Sequence, residues 1–267
     1  MDTNSDQTIH DSLTQKMTFS DILQEAWKSI DGIKWRTLVL FIFYVIATIA
    51  TQILSALFLV AIIGTLFPNI GSSKLFITIA LTLPYAIFFI FPAFFVWIVI
   101  TMLLNKTLAR PYTIEHARRI CFSKFKKLVG LSFIIGLLSY VGDILPSYLA
   151  TTMPAQPTNA QFLIYGTLLF VVGAALFYLM FPVYLFSGPL LIFRDKSISE
   201  AFFESYEIMS HYWGLAILGL VVLFLVVLAS VCTLGIFLIW GLPFTMMYFA
   251  ILCREACGLR ACPQLLR

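Results

Sequence analysis

The chain has 267 residues, of which 61% are apolar and 11% are charged, and its mean hydropathy is +0.97. These proportions exclude an ordinary soluble globular protein, in which about a quarter of the residues carry a charge. They predict an integral membrane protein, and the formal net charge of +4 requires no nucleic-acid partner.

The N-terminal residues 1–17 are polar and predict a disordered tail. Residues 1–15 lack the basic, apolar and small-residue parts of a cleaved signal peptide, so the first span is expected to remain in the mature protein. A single membrane domain is predicted over residues 18–258, followed by a cytoplasmic tail over residues 259–267.

Six apolar stretches in the membrane domain pair into three hairpins. Crossing about 30 Å of hydrocarbon requires about 20 apolar residues. The six predicted spans lie at 37–73, 75–105, 128–146, about 160–193, and twice within 213–253. Turn compositions at 68–73 and 232–235 separate the two spans of the first and third hairpins. The predicted fold class is therefore an all-α membrane protein with six transmembrane helices.

The lysine and arginine residues predict the orientation of these spans. All of them except Lys74 flank the hairpins on one side. Because short cytoplasmic loops hold an excess of Lys and Arg, both termini are expected in the cytoplasm. The expected location is the cell inner membrane, with a multi-pass topology.

A repeated unit is predicted from the segment that precedes each hairpin. Each segment begins with a small hydroxyl residue and an acid, which can cap a helix and complement its dipole. The predicted unit is an interfacial amphipathic helix followed by two spans, giving units at about 18–109, 110–195 and 196–258. The predicted helix starts are Ser20-Asp21, Thr113-x-Glu115 and Ser199-Glu200.

The second span of each unit contains a proline, namely Pro92, Pro182 and Pro243. Proline removes a backbone donor and frees the carbonyl four residues earlier, which bends a helix. Membrane helices tolerate single prolines, so any one of them can be incidental. Their recurrence favours a shared kink in all three units.

Polar residues within the spans are the candidates for a pathway or a site, since unsatisfied polar groups are costly in hydrocarbon. Two ridges are expected to face protein rather than lipid. Asp143 could hold a cation or proton, but a cap of the following helix or contact with external water is favoured. Hydroxyl ridges are also ordinary contacts between membrane helices. The candidate ridge residues are Thr48, Thr51, Gln52, Ser55, Ser139, Tyr140 and Asp143.

A basic amphipathic stretch precedes the third span and is a candidate contact for anionic lipid. The same charges already satisfy the positive-inside bias, so ordinary topology setting is the favoured interpretation. The residues concerned are Arg118, Arg119, Lys124, Lys126 and Lys127.

No catalytic constellation is recognisable in the sequence. The three histidines share no metal-ligand spacing and accompany no nucleophile. Cys253, Cys257 and Cys262 form a cluster without a histidine and without the usual zinc spacing, so reduced thiols are the default interpretation. We therefore predict no metal, no cofactor and no enzymatic activity.

The C-terminal third contains a segment that resembles a known family. Gly188–Lys196 (GPLLIFRDK), then SEAF at 199–202 and HYWG at 211–214, resemble the YciC-type bacterial inner-membrane proteins. The related membrane domains of glycerophosphodiester phosphodiesterases show the same likeness, whose specific residues lie within 178–257. The resemblance implies a polytopic cytoplasmic-membrane protein without an established activity. The phosphodiesterase catalytic domain has no counterpart here.

The predicted function is therefore a non-enzymatic, envelope-organising or scaffold role. The alternative is a small-solute or lipid transporter, or a lipid-binding protein, that uses the polar ridges and kinked helices. It predicts a hydrated cavity near Gln52. A membrane-embedded lipid enzyme is disfavoured because acids and histidines do not cluster. The expected partners are membrane lipids, including anionic lipids, and another membrane protein; the oligomeric state is left open.

Overall fold

The computed structural model describes residues 17–66, 90–152, 158–233 and 235–259, which form helices joined by turns. No strand occurs within these ranges. In chain order the helices are α1 (Phe19–Ser29), α2 (Lys34–Leu66), α3 (Ile90–Thr107), α4 (Ile114–Ser123), α5 (Phe125–Thr152), α6 (Asn159–Pro182), a π-helical segment (Val183–Ser187), α7 (Gly188–Phe193), α8 (Ile198–Cys232) and α9 (Leu238–Ala256).

Three segments of the described chain are long and apolar enough to cross a membrane: Lys34–Leu54, Leu163–Phe193 and Ile198–Cys232. Pro92–Thr107 is a shorter apolar helix. The predicted all-helical class and the membrane-protein class are thereby confirmed. The predicted turn at 68–73 lies outside the described residues.

Helix α1 begins two residues earlier than the sequence predicted. Its N-cap is Thr18, whose hydroxyl accepts from the Asp21 N–H at 3.4 Å, while the Asp21 carboxylate accepts from the Thr18 N–H at 2.9 Å. A capping box needs the hydroxyl three residues before the acid. The predicted start at Ser20 was therefore wrong.

The same geometry corrects the start of α8. Ser197, not Ser199, is the N-cap: its hydroxyl accepts from the Glu200 N–H at 3.2 Å and its own N–H donates to the Glu200 carboxylate at 2.9 Å. Thr113 is the N-cap of α4, as predicted, and accepts from the His116 N–H at 3.2 Å.

Helices α3, α7 and α9 end in similar turns, each with one residue in the left-handed region. These residues are Ala109 (φ 55°), Asp195 (φ 54°) and Gly258 (φ 58°). In each turn, the N–H of the residue after the left-handed one donates to a carbonyl in the last turn of the helix, which would otherwise lack a partner. We call residues 106–113 the first junction, 194–197 the second junction and 257–259 the third junction. The bonds run from Arg110 to Asn105 (2.8 Å), Lys196 to Leu190 (3.4 Å) and Leu259 to Arg254 (2.8 Å).

Two helices are longer than predicted. Helix α8 is continuous for 35 residues, so the third predicted interfacial helix is the first part of a span and no break occurs at Trp213. The first two predicted interfacial helices, in contrast, are separate from the spans that follow them. Gly32, at φ 82°, lies between α1 and α2, and α4 ends at Lys124 before α5 begins. Helix α5 continues through Pro146, where the third span was expected to end, to Thr152.

Pro182 and Pro243 lie at different places in their helices. Pro182 ends α6 and directly precedes the π-helical segment, in which the Ser187 hydroxyl donates to the Val183 carbonyl. A missing N–H and a widened turn are recognised causes of helix bending. Pro92 and Pro243 lie in the first two turns of α3 and α9 as described.

The core lies at the end of the bundle that carries the three junctions. Side chains of α1, α3, α5, α7 and α9 are fully buried there, including Ile22, Met102, Leu128, Leu190 and Tyr248. Towards the other end, apolar side chains of α6 are exposed, with Phe170 at 77%. Exposed apolar side chains are what a lipid environment accommodates.

A glycine makes room for a large aromatic side chain in this core. A Cβ built on Gly188 would lie 2.1 Å from Cζ3 of Trp97. The indole of Trp97 donates from Nε1 to the Ser132 hydroxyl at 3.0 Å. Small residues and buried hydroxyl bonds of this kind hold membrane helices together.

Candidate functional site

The residues of the polar ridge predicted on α2 differ in their surroundings. Thr48 is half-buried and donates to the Tyr44 carbonyl of its own helix at 2.8 Å. Thr51 is buried, whereas Gln52 is exposed. The exposure of Gln52 differs from the expectation that the ridge faces protein, which stays a prediction, and the side chain of Ser55 lies outside the described residues.

The ridge on α5 has one described contact to another segment. The Ser139 hydroxyl and the Tyr184 hydroxyl are hydrogen-bonded at 3.0 Å. This bond joins α5 to the π-helical segment, as expected for a hydroxyl that holds two membrane helices together. The side chains of Tyr140 and Asp143 lie outside the described residues.

Two of the candidate lipid-contacting cations are bound to the second junction. Lys124 and Lys127 each place Nζ 2.7 Å from Oδ1 of Asp195, and Lys127 also donates to the Lys196 carbonyl at 3.1 Å. These hydrogen bonds lower the pKa of Asp195 to about 2. The left-handed position of Asp195 directs its carboxylate to both lysines.

The other three predicted cations lie on the surface of α4 and α5. Arg119 pairs with Glu115 at 2.7 Å, and both side chains are more than 60% exposed. Such a pair contributes little to stability. Arg118 and Lys126 are exposed and form no ion pair within the described ranges.

The remaining cations of the second junction are also paired with a carboxylate. Arg194 and Lys196 both pair with Glu204 of α8, at 2.7 and 3.0 Å. A groove of about 600 Å³ beside Lys196 and Glu204 is also lined by Glu200 and Glu207 of α8. Glu200 is already used in the capping box of α8.

Next to the third junction, Arg254 joins the first and last helices described. Its guanidinium makes a two-pronged contact with Glu25 of α1, at 2.5 and 2.9 Å, and a further one with Glu255 at 2.7 Å. Nη1 also donates to the Thr107 carbonyl at the end of α3, at 3.3 Å. Only 14% of the Arg254 side chain is exposed, so this cation has a structural role.

The first junction differs because its cations lack carboxylate partners. Arg36 of α2, Lys106 of α3 and Arg110 surround the loop that leads into α4, and none pairs with a carboxylate in the described parts of the chain. Arg36 and Lys106 lie over the same ring of Tyr112, with Cζ and Nζ at 5.5 and 5.2 Å from its centroid. This cluster was not predicted from the sequence.

Buried polar atoms without partners lie next to this cluster. Nε of Arg110 and both side-chain polar atoms of Asn105 are buried without a hydrogen-bond partner among the described residues. The Arg110 guanidinium lies 6.0 Å from the ring centroid of Phe193. An open pocket of about 540 Å³, lined by Arg36, Arg110 and Tyr112 among others, lies against the loop.

The cysteines of the predicted cluster are part of the helix packing. Cys253 donates from Sγ to the Leu185 carbonyl at 3.1 Å, and Cys257 is fully buried. Burial raises the pKa of Cys257 to about 12, which keeps the thiol protonated. Cys262 lies outside the described residues. Among those that are described, no group of three His, Cys, Asp or Glu side chains could hold a metal ion.

Comparisons with protein-family models, with curated proteins and with solved structures found no match for this chain. The resemblance to YciC-type membrane proteins therefore stays a prediction.

Proposed function

We propose that this protein is a non-enzymatic, multi-pass protein of the bacterial cytoplasmic membrane that organises envelope components through the end of the bundle carrying the junctions. In this proposal six spans form three units, each with an amphipathic segment before its hairpin. Both termini lie in the cytoplasm. The resemblance to YciC-type proteins points in the same direction.

The observation that carries this proposal is the packed core at the junction end. Helices from all three proposed units meet there, and the hydroxyls of Ser132, Ser139 and Thr101 are bonded to side chains of neighbouring helices. A transporter needs a continuous polar path, and polar side chains that are bonded between helices act as contacts instead. Dense packing at this end therefore favours a scaffold over transport.

The charge distribution supports the proposed orientation. Every lysine and arginine of α1, the three junctions and α4 lies at the packed end of the bundle or next to it. The cytoplasmic side of short-loop membrane proteins carries such an excess. The ends of α8 and α9 joined by Gly235, at φ 86°, would then face outwards.

Cys232 provides a test of this orientation. It is exposed at the end of α8, whereas Cys121, Cys253 and Cys257 are buried. We expect a membrane-impermeant maleimide to label wild-type protein in spheroplasts and to leave the Cys232→Ser variant unlabelled. Labelling that depends on Cys232 only in inside-out vesicles would reverse the proposed topology.

The scaffold role is tested separately by photo-crosslinking and by solute flux. A photoreactive residue at Phe203, 70% exposed near the start of α8, is expected to give a discrete protein adduct in cells. The same residue at Phe170, on the apolar end, serves as the matched control and should give none. Proteoliposomes should exchange ions, sugars and amino acids no faster than empty liposomes. Saturable uptake would contradict the scaffold role and favour transport.

A further inference from the structure

Arg36, Lys106 and Arg110, the three cations around the first junction, are the most unusual charge arrangement in the described chain. The neighbouring junctions show how this protein normally treats such groups. Lys124, Lys127, Arg194, Lys196 and Arg254 each pair with a carboxylate at 3.0 Å or less. Arg36, Lys106 and Arg110 do not, although they also lie close together.

The positions of Arg36 and Lys106 place two like charges beside one aromatic ring. Both lie over Tyr112, and Arg36 also donates from Nη1 to the Tyr112 carbonyl at 3.4 Å. Lys106 donates from Nζ to the main-chain oxygen of Asp31. A ring and two carbonyls orient the cations but do not neutralise them, so they repel each other unless an anion is present.

The carboxylates nearest to this cluster cannot compensate for it fully. Burial lowers the pKa of Lys106, the Asp31 charge opposes that effect, and Arg36 lowers the pKa further. Glu115, in the first turn of α4, is held by Arg119 at 2.7 Å. Three cations thus face one available carboxylate, that of Asp31.

We propose that the first junction is a binding site for a phosphate group, presented either by the headgroup of an anionic phospholipid or by a small phosphate-bearing solute. Arginine guanidinium groups match the geometry of phosphate oxygens, and lysine adds a compact charge. The pocket of about 540 Å³ beside the loop has room for such a group. Arg36 and Arg110 both line this pocket and would be the donors.

This site goes beyond the proposed scaffold role, and only its lipid source depends on the proposed membrane orientation. It also differs from the stretch that the sequence offered as a candidate for lipid contact. There, Lys124 and Lys127 are already occupied by Asp195. Arg118 and Lys126 remain exposed, but no described pocket encloses them. Lys126 is therefore a charge-matched control.

The experiment uses the full chain in a maltoside detergent. Native mass spectrometry and calorimetry would measure the binding of dihexanoyl phosphatidylglycerol, of inorganic phosphate, and of a short-chain diacylglycerol as an uncharged control. The variants are Arg36→Gln and Arg110→Gln, with Lys126→Gln as the matched control. Arg36 is exposed, so its variant keeps the test meaningful even if Arg110→Gln disturbs the contact with Phe193. Unfolding curves would verify that each variant is folded.

We expect both Arg36→Gln and Arg110→Gln to weaken binding roughly tenfold, because each removes a charge-assisted hydrogen bond. Lys126→Gln should change it little. Competition between the lipid and inorganic phosphate would support a general phosphate site. Binding of the lipid alone would assign the headgroup, and binding of phosphate alone would assign a solute.

Two results would overturn the proposal. One is that neither phosphate-bearing probe binds the wild-type protein above the diacylglycerol background. The other is that the two arginine variants lose no more affinity than Lys126→Gln. Neither result bears on the labelling of Cys232 or on the crosslink at Phe203, so the site and the scaffold role can fail independently.

Discussion

The first and second junctions share a backbone design but differ in whether their cations pair with carboxylates. In both, a helix ends at a left-handed residue and the next helix begins at a hydroxyl N-cap a few residues later. The left-handed residue is Asp195 in the second junction, where its carboxylate holds Lys124 and Lys127. It is Ala109 in the first, where no carboxylate replaces it and the surrounding cations remain available.

The difference shows that a surplus of positive charge on one side of a membrane protein does not by itself define a binding surface. Lysines and arginines that set topology can be paired with carboxylates within the fold, as at the second junction and around Arg254, or left without such a partner, as at the first. Which outcome occurs depends on carboxylates supplied by other parts of the chain. Three predictions test this distinction.

The largest effect is expected at Arg254, the least exposed of the paired cations. Breaking a fully buried ion pair costs roughly 3–5 kcal/mol. Since the side chains of Glu25 and Glu255 are 31% and 35% exposed, we expect Arg254→Met to lower the free energy of unfolding by about 2 kcal/mol. Unfolding in mixed micelles with increasing SDS would measure this.

The control for Arg254 is Arg119→Gln, which removes an exposed pair with Glu115. This variant should change the free energy of unfolding by no more than about 0.5 kcal/mol. Glu25→Gln combined with Arg254→Met should also cost less than the sum of the two single changes. Equal effects of Arg254→Met and Arg119→Gln would remove the structural role assigned to Arg254.

A smaller, pH-dependent effect is expected at Asp195. Its pKa is lowered from 3.8 to about 2 by its hydrogen bonds to Lys124 and Lys127. A carboxyl with a lowered pKa in the folded state contributes stability that is present above its unfolded pKa and is lost as the pH falls towards its folded pKa. Asp195→Asn should therefore be less stable than wild type at pH 7.

The stability gap between Asp195→Asn and wild type should close between about pH 4 and pH 2, as the wild-type carboxyl is protonated. Thermal unfolding across this range would measure it, with Glu207→Gln as a control acid that forms no described ion pair. A gap that is independent of pH would mean that Asp195 acts through its backbone conformation rather than through its charge.

Much of the fold follows from local sequence features. The apolar stretches predicted the helical membrane class because their length and composition are sufficient for that inference. In the segment where a turn was predicted, 232–235, the described Gly235 adopts a left-handed conformation. The starts of α1 and α8 were displaced by two residues because the reciprocal capping bonds were not considered. The continuity of α8 past Trp213 was missed because an amphipathic segment and a span can form one helix.

The candidate site could not be predicted in the same way. Arg36 and Tyr112 are 76 residues apart, and Lys106 and Asp31 are 75 residues apart. The pairing of Lys124 with Asp195 spans 71 residues. No local pattern indicates which lysine meets a carboxylate, so the sequence selected the α4 stretch, where the cations are most frequent. Tertiary contacts decide which cations remain available.

The smallest effect is expected from the left-handed residues themselves. An L-residue other than Asn or Asp pays about 1 kcal/mol in this conformation, and glycine does not. Ala109→Gly should therefore stabilise the protein by about 0.5 kcal/mol, after allowing for the greater freedom of glycine in the unfolded chain. The reciprocal variant, Gly258→Ala, should destabilise it, because its Cβ would also lie 3.1 Å from Nη2 of Arg194.

Both changes leave the charge of the junctions unaltered, so phosphate binding should be unaffected. Opposite shifts in the unfolding free energy with unchanged binding would separate the shared backbone design from the charges, whereas loss of binding in Ala109→Gly would show that the loop conformation, and not the cations alone, forms the site.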